Sequence, residues 1–346
     1  MLKLRPHQEK VRHEVFDEIR GGHQNIVLVA SCGFGKTEVS CALAQDASSK
    51  GRQVFFMVHR DNLVRQTVTR FQKYNLNPGV IKSGFKPDLS RPVQVCSIQS
   101  LARRRDVINH IRDTRALLLW DESHITAFST LGRQMIESRN EQHIHIALTA
   151  TPWRLKRTES FGDLFTSLVT APLPSELIQM GFLVPLRYFG LPYIDTSSVG
   201  TRGGDFAQDQ LSLVTADPAV VRDAVDNWRN LGENRRSIAF TVDVSHSLAL
   251  ADEFSRQGIP AAAVHGEMDP VKEREPIYQA LAHDEIKVVV SCEALAEGFD
   301  CPSVGTILLC RPTKSRAKYL QQIGRGMRIA DQKSDCIVLD QAGNVE

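Results

Sequence analysis

Ile26-Val27-Leu28-Val29-Ala30-Ser31-Cys32-Gly33-Phe34-Gly35-Lys36-Thr37 is the stretch on which the fold turns. Its first four residues are apolar, the pattern of a strand buried on both faces. The glycine-containing turn after it runs straight into Glu38-Val39-Ser40-Cys41-Ala42-Leu43-Ala44, which has helical spacing. Strand, phosphate loop and helix follow one another. Gly33 and Gly35, flanking Phe34, let backbone N–H groups converge on an anion, and the helix N-terminus adds its positive dipole end. Lys36 can reach the β/γ-phosphates and the Thr37 hydroxyl can ligate Mg²⁺. Ala30 stands where the usual pattern has its first glycine, a mild departure, because the two glycines nearest the lysine remain. A plain turn before an ordinary helix is the competing account, and strand and helix together argue against it.

At 346 residues the chain suits two domains, expected at 1–170 and 185–346 with a linker over 171–184, where Ala171-Pro172-Leu173-Pro174 reads as a connector. A hydrophobic content of 42% supports full cores. No apolar run approaches the roughly 20 residues that span a bilayer, and Met1 to Pro6 lack a signal peptide's apolar region, so a soluble cytoplasmic protein with no membrane association is expected. Seven cysteines without a C-x-x-C pair argue for reduced thiols over disulfides or a zinc module. The net charge of +2 is unevenly spread: residues 1–170 hold 25 Lys+Arg against 16 Asp+Glu, a balance of +9, and residues 171–346 hold 17 against 24, a balance of −7. A basic half suits a polyanion, and an acidic half excludes a histone-like wrapper.

Ahead of the phosphate loop, Leu4-Arg5-Pro6-His7-Gln8 opens a helical pattern. Proline in its first turn would fix the Gln8 amide, able to make the paired bonds that read an adenine edge. After the loop come buried strands at Val54–Val58, Val93–Cys96, Ala116–Trp120 and Ile144–Leu148. In an open parallel sheet the residues just past the carboxyl ends line the ligand crevice. His59-Arg60, Ser97-Ile98-Gln99-Ser100, Asp121-Glu122-Ser123-His124 and Thr149-Ala150-Thr151-Pro152 all fall there. Adjacent carboxylates after a buried strand are costly unless met by cations, so Mg²⁺ near Asp121 and a polarised water near Glu122 make physical sense. Arg103-Arg104-Arg105 reads as a solvated face. Thr196 to Asp205 is the most loop-like segment and is expected to be mobile.

From Ala219 onward strands and helices alternate again, so the second half reads as another parallel sheet with helices on both faces and no phosphate loop of its own. His265-Gly266 and Ser291-Cys292 each follow a strand. The helix Ser315–Met327 would place Gln321, Arg325 and Arg328 close to one face. Gly324 and Gly326 weaken it, which is easier to understand if something approaches its backbone closely.

In this order and spacing, these stretches resemble the motif set of superfamily 2 helicases and translocases of the DEAD/DEAH-like kind, from Leu4 to about Asn344. Leu4-Arg5-Pro6-His7-Gln8, Leu148-Thr149-Ala150-Thr151-Pro152, Arg311-Pro312-Thr313, Gln321-Gln322-Ile323-Gly324-Arg325-Gly326 and Leu339-Asp340-Gln341-Ala342-Gly343-Asn344 are similar to the bacterial and phage RadD-like branch. The resemblance implies an α/β fold of two tandem RecA-like domains with ATP in the cleft between them. It implies that Arg5 and Gln8 recognise adenine, Gly33, Phe34, Gly35, Lys36 and Thr37 bind phosphates, Thr37 and Asp121 hold Mg²⁺, and Glu122 orients the attacking water. Gln321, Arg325 and Arg328 would act from the second domain, the arginines as fingers, with Gly298 and Asp300 also on the nucleotide. Arg60, Ser97, Gln99, Gly266, Ser291 and Cys292 would touch nucleic acid. Ser123 stands where that family has alanine or cysteine, and RadD-like proteins tend to continue into a zinc-binding tail.

The expected activity is ATP hydrolysis coupled to stepping of a monomeric motor along nucleic acid, DNA before RNA, in repair or replication. The alternatives are an RNA helicase, a nucleic-acid-binding regulator with a vestigial ATP site, and a P-loop kinase or metabolic ATPase. The last leaves the second sheet and its arginines without a purpose.

Overall fold

The computed structural model describes residues 3–59, 61–152, 159–191, 194–292 and 301–344. The chain divides into two compact units, Met1–Pro174 and Ser175–Glu346.

The first unit is built on seven strands: β1 (Asn25–Val29), β2 (Gln53–Val58), β3 (Gly79–Ile81), β4 (Val93–Ser97), β5 (Ala116–Trp120), β6 (His143–Thr149) and β7 (Ser167–Thr170). They lie in the order β3-β4-β2-β5-β6-β1-β7, every pair parallel. Parallel pairing demands crossovers, and the helices that supply them cover both faces, so central strands must be apolar throughout. Ala116-Leu117-Leu118-Leu119-Trp120 is buried at every position. Alternate residues then feed different layers. Leu118 and Trp120 pack with Ile108, Ile111 and Met135 on one side. The other face is covered by helices Pro6–Arg20 and Lys36–Ser49.

The second unit carries β8 (Leu186–Gly190), a two-stranded antiparallel pair β9 (Thr201–Arg202) and β10 (Asp205–Phe206), then β11 (Ser237–Phe240), β12 (Ala261–Val264), β13 (Val288–Ser291), β14 (Thr306–Leu309) and β15 (Cys336–Asp340). Its main sheet runs β12-β13-β11-β14-β15-β8, again all parallel. Ile238, Ile307 and Val338 enter a core with Leu281 and Ile323. Ala239, Leu308 and Ile337 enter another with Val225, Trp228 and Phe254. Both expected parallel sheets are therefore present.

Several details depart from expectation. The short β3 and the edge strands β7 and β8 were hidden from periodicity, since β7 and β8 bury only part of their residues. The helical segment after β12 starts as a π-type turn, Pro270–Arg274, before Glu275–Ala282. Pro276 has no N–H to give the preceding turn and its ring crowds the carbonyl four residues back, which opens the turn. The loop-like run to Asp205 ends in an anchored hairpin: Asp205 accepts hydrogen bonds from Thr313, the Lys314 backbone and Lys318. Arg104 does not merely face solvent, because its guanidinium donates to the Lys82 and Phe85 carbonyls.

Candidate active site

The phosphate loop leaves the carboxyl end of β1 with Gly33 at φ 84° and Gly35 at φ 94°. Both values lie in the left-handed region that only glycine enters without strain. At Gly35 a second constraint operates: a Cβ there would meet Gln8 Nε2 at 2.2 Å. Gln8 is buried against the loop, its Nε2 donating to the Phe34 carbonyl and its Oε1 accepting from the Arg5 N–H, both at 2.9 Å. One amide hydrogen and one oxygen lone pair remain uncommitted by these two bonds, enough for an adenine edge. The Phe34 side chain turns inward onto His7, so only its backbone can meet a ligand. Lys36 Nζ donates to the carbonyls of Ala30 (2.9 Å) and Ser31 (3.3 Å), which poises the ammonium over the loop.

A single strand, β6, separates β1 from β5. With neighbours about 4.8 Å apart, the phosphate loop and Asp121-Glu122 leave the same sheet edge roughly 10 Å from each other. Burial pushes the Asp121 carboxyl above its ordinary range, the Glu122 charge adds to that, and Lys36 opposes it. A divalent cation would offset the same cost. Among the described residues no three His, Cys, Asp or Glu side chains gather around one point. The donors offered, Thr37 and Asp121, suit Mg²⁺, which takes one or two protein groups and fills its octahedron with phosphate and water. Glu122 sits at φ 44°, ψ 55°, a left-handed conformation costing about 1 kcal/mol or more for a non-glycine residue. That turn aims its carboxylate, with His124 Nδ1 at 3.5 Å from Glu122 Oε2. The Thr149 backbone carbonyl accepts from the Ala30 N–H at 2.9 Å, and its hydroxyl accepts from the Thr151 N–H at 3.0 Å, tying the end of β6 to the loop.

In the second unit Gln321 and Arg325 lie one turn apart on helix Arg316–Gly326, both partly exposed. Arg328 does not extend that face. The helix ends at Gly326, and Arg328 instead forms an antiparallel bridge with Leu183. What approaches the helix backbone is the unit's own sheet: a Cβ on Gly326 would fall 2.3 Å from Cys336 Sγ and 2.9 Å from Ile307 Cγ1.

Of the residues expected at nucleic acid, Gln99 and Gly266 are exposed past the ends of β4 and β12. Ser97 and Ser291 are fully buried and Cys292 nearly so. Each ends or follows a strand packed on both faces, so contact there would fall to exposed neighbours and backbone. Arg60, Gly298 and Asp300 lie outside the described residues.

Two residues here escape any motif. Arg70, on helix Asp61–Lys73, donates from Nη1 to Thr37 Oγ1 at 3.2 Å. Lys333 donates to the carbonyls of Gly326 (2.7 Å), Arg328 (2.9 Å) and Pro302 (2.9 Å), capping the helix that carries Arg325. Arg70 meets Thr37 across the fold, and Lys333 closes back on the helix end just before it, a turn no motif marks.

A phosphate loop and an acidic pair on one parallel sheet, followed by a second parallel sheet, define an α/β protein of the P-loop class. Comparison narrows the class. Residues 1–154 match the family described as "Type III restriction enzyme, res subunit", and residues 220–330 match "Helicase conserved C-terminal domain". A 51.5 kDa protein of a Lactococcus phage is 27% identical across 90% of this chain and 64% of its own length. A mitochondrial protein of Schizosaccharomyces pombe named as the ATP-dependent helicase irc3 is 27% identical across 98% of this chain and 57% of its own. This chain thus spans somewhat under two thirds of those relatives. Among solved structures, the ATP-dependent Type ISP restriction-modification enzyme LlaBIII bound to DNA superposes with a TM-score of 0.70 at 18% identity, covering 97% of this chain and 27% of that one, a likeness of fold. The two family matches in this order, with a helicase among the relatives, support placing the chain among the superfamily 2 helicases.

Proposed function

We propose that the chain is a nucleic-acid-stimulated ATPase that translocates on DNA, in repair or replication, and that it is nearest to the RadD-like branch of its superfamily. The observation that carries this reading is the shared sheet edge of Lys36, Thr37, Asp121 and Glu122, close enough that Lys36 acts electrostatically on Asp121. Bound Mg²⁺ would neutralise phosphate charge there. The backbone of Gly33 to Gly35 and the Lys36 ammonium bind the phosphates, Thr37 and Asp121 hold the ion, and Glu122 orients a water for attack. Arg325, in the other unit, supplies the remaining positive charge when the units close across a nucleotide, with Gln321 beside it on the helix and Arg328 as a second donor. Domain limits at 1–170 and 185–346 belong to the same proposal.

A track that touches both units would favour the closed form by differential binding and so stimulate turnover. Contacts from Gln99, Gly266 and the flanking backbone would fall on sugar and phosphate, giving affinity with little base preference. DNA is favoured over RNA by the DNA-bound enzyme that shares the fold.

The test is phosphate release at one fixed salt concentration with no nucleic acid, single-stranded DNA, duplex DNA, forked DNA and RNA, since such affinities vary steeply with salt. The expected result is stimulation by a DNA form above RNA. Turnover that no polynucleotide changes would remove the translocase reading, and stimulation by RNA alone would replace DNA with RNA.

A further inference from the structure

The first unit has a second concavity at the sheet edge opposite its phosphate loop. It is a cavity of about 440 Å³ between the C-terminal halves of helices Pro6–Arg20 and Lys36–Ser49 and the starts of β5 and β6. Arg52 and Arg115 stand immediately before β2 and β5, which places them at the amino edge, away from Lys36. The floor is apolar, with Phe16, Leu117 and Ile146 among its residues. Its charged lining is mostly basic: Arg12, Arg20, Lys50, Arg52 and Arg115 stand with one lining carboxylate, Asp46, while Glu9 and Asp17 just outside the cavity pair with Arg12 and Arg20.

Helix C-termini attract cations, and that alone would account for Arg20 and Lys50. Arg52 closes that same helix end, its N–H donating to the Ala47 carbonyl at 3.0 Å, but Arg115 lies on no helix end of this pair. Asp46 is already spent, because Arg12 grips it in a bidentate pair at 2.7 and 2.8 Å. Lys50 rests over the Phe16 ring at 5.1 Å, so its charge borders the apolar floor. Arg52, half-buried, donates from Nη1 to the Gln142 carbonyl at 2.7 Å, while burial, then the Arg115 charge, works against its ionised form. The Arg52 and Arg115 charges, both in the cavity lining, thus oppose one another, and a ligand carboxylate near them would relieve both. A polynucleotide matches the cations but leaves the apolar floor unfilled, because its backbone is polar along its length. A peptide that sets acidic side chains beside a leucine or phenylalanine satisfies the rim and the floor together, and the volume lies within the usual range for a ligand pocket.

We infer that this amino-edge cavity is a docking site for an acidic peptide segment of a partner protein that inserts an apolar side chain. It is separate from the nucleotide site, although both helices that wall it begin there: Gln8 and Lys36 stand at their other ends.

The test is a fluorescence-anisotropy titration of the whole chain, without nucleotide, using a fluorescein-labelled synthetic peptide of alternating glutamate and leucine pairs. The expected result is saturable binding that weakens at least tenfold in Arg115→Glu and in Ala47→Trp, which fills the cavity, and that vanishes when serine replaces the leucines. Arg115 is exposed, so its reversal leaves folding intact should the tryptophan variant fail to fold. No saturable binding, equal binding by wild type and Arg115→Glu, or undiminished binding of the serine peptide would overturn the inference. So would displacement of the peptide by single-stranded DNA that is itself lost in Arg115→Glu, which would give the cavity to nucleic acid. ATP binding by Arg115→Glu should match wild type, so a failed ATPase assay and a failed peptide assay would be told apart.

Discussion

Gly35 answers to two demands at once, a left-handed backbone and the Gln8 amide packed where a Cβ would be. Gly35→Ala should therefore cost about 1–2 kcal/mol from the backbone alone and displace Gln8, weakening ATP binding at least tenfold by fluorescent-nucleotide titration. Lys36→Ala removes the one ammonium poised over the loop, and phosphate release should fall at least a hundredfold while the unfolding midpoint changes little. Buried histidines, His145 and His246 among them, add a dependence on acid. His145 on β6 accepts a hydrogen bond from Trp120 Nε1 at 3.2 Å, and burial pushes its pKa down to about 3. Below its ordinary value of 6.5 the unfolded chain takes a proton that the fold refuses. Stability should thus decline as pH falls from about 6.5 towards 3, by roughly 1.4 kcal/mol per unit. Urea titrations at pH 7, 5.5 and 4.5 should show a shallower decline for His145→Asn, which keeps an acceptor for Trp120; an identical decline would clear His145 of the effect.

Elements were readable from the sequence where one physical demand set the residues. Central strands such as β5 are apolar at every position because both faces are covered, and the Gly33 and Gly35 turn can serve little else. Edge elements were not readable, since β7 and β8 answer only to a half-covered face. Distance in sequence concealed the rest. Nothing near Arg70 announces that helix Asp61–Lys73 ends against Thr37, nor that Tyr74 just beyond it donates to Glu38 at 3.3 Å. The same helix begins with Asp61 accepting from Ser100, next to the turn that carries Gln99. It is a strut between the candidate nucleic-acid edge and the Thr37 hydroxyl, so Arg70→Ala should lower DNA stimulation of turnover more than it lowers ATP affinity. Packing likewise explains Gly326, whose role the sequence left open. Gly326→Ala pushes a methyl into Cys336 and Ile307 and should cost about 1–3 kcal/mol by urea unfolding. The hairpin β9-β10 owes its place to Asp205. Burial raises that carboxyl, but hydrogen bonds from Lys318 and the Lys314 backbone outweigh it and hold the group below its ordinary value. Its contribution is present above about pH 4 and is lost in stronger acid.

For the molecule as a whole, the proposed function divides one chemistry unequally between the two units. The phosphate loop, the proposed metal donors Thr37 and Asp121, and Glu122 belong to Met1–Pro174, whereas Arg325 and Gln321 belong to Ser175–Glu346. Under the proposed function the site would be completed only when the polynucleotide joins its parts. Arginine fingers contribute roughly 10³ to 10⁵ in rate, so this one side chain separates a motor from a nucleotide-binding protein. The decisive measurement is DNA-stimulated phosphate release by Arg325→Ala beside its ATP affinity. The account predicts a loss of stimulated turnover of about a thousandfold or more, with affinity within about threefold of wild type. Stimulated turnover equal to wild type in that variant would contradict it.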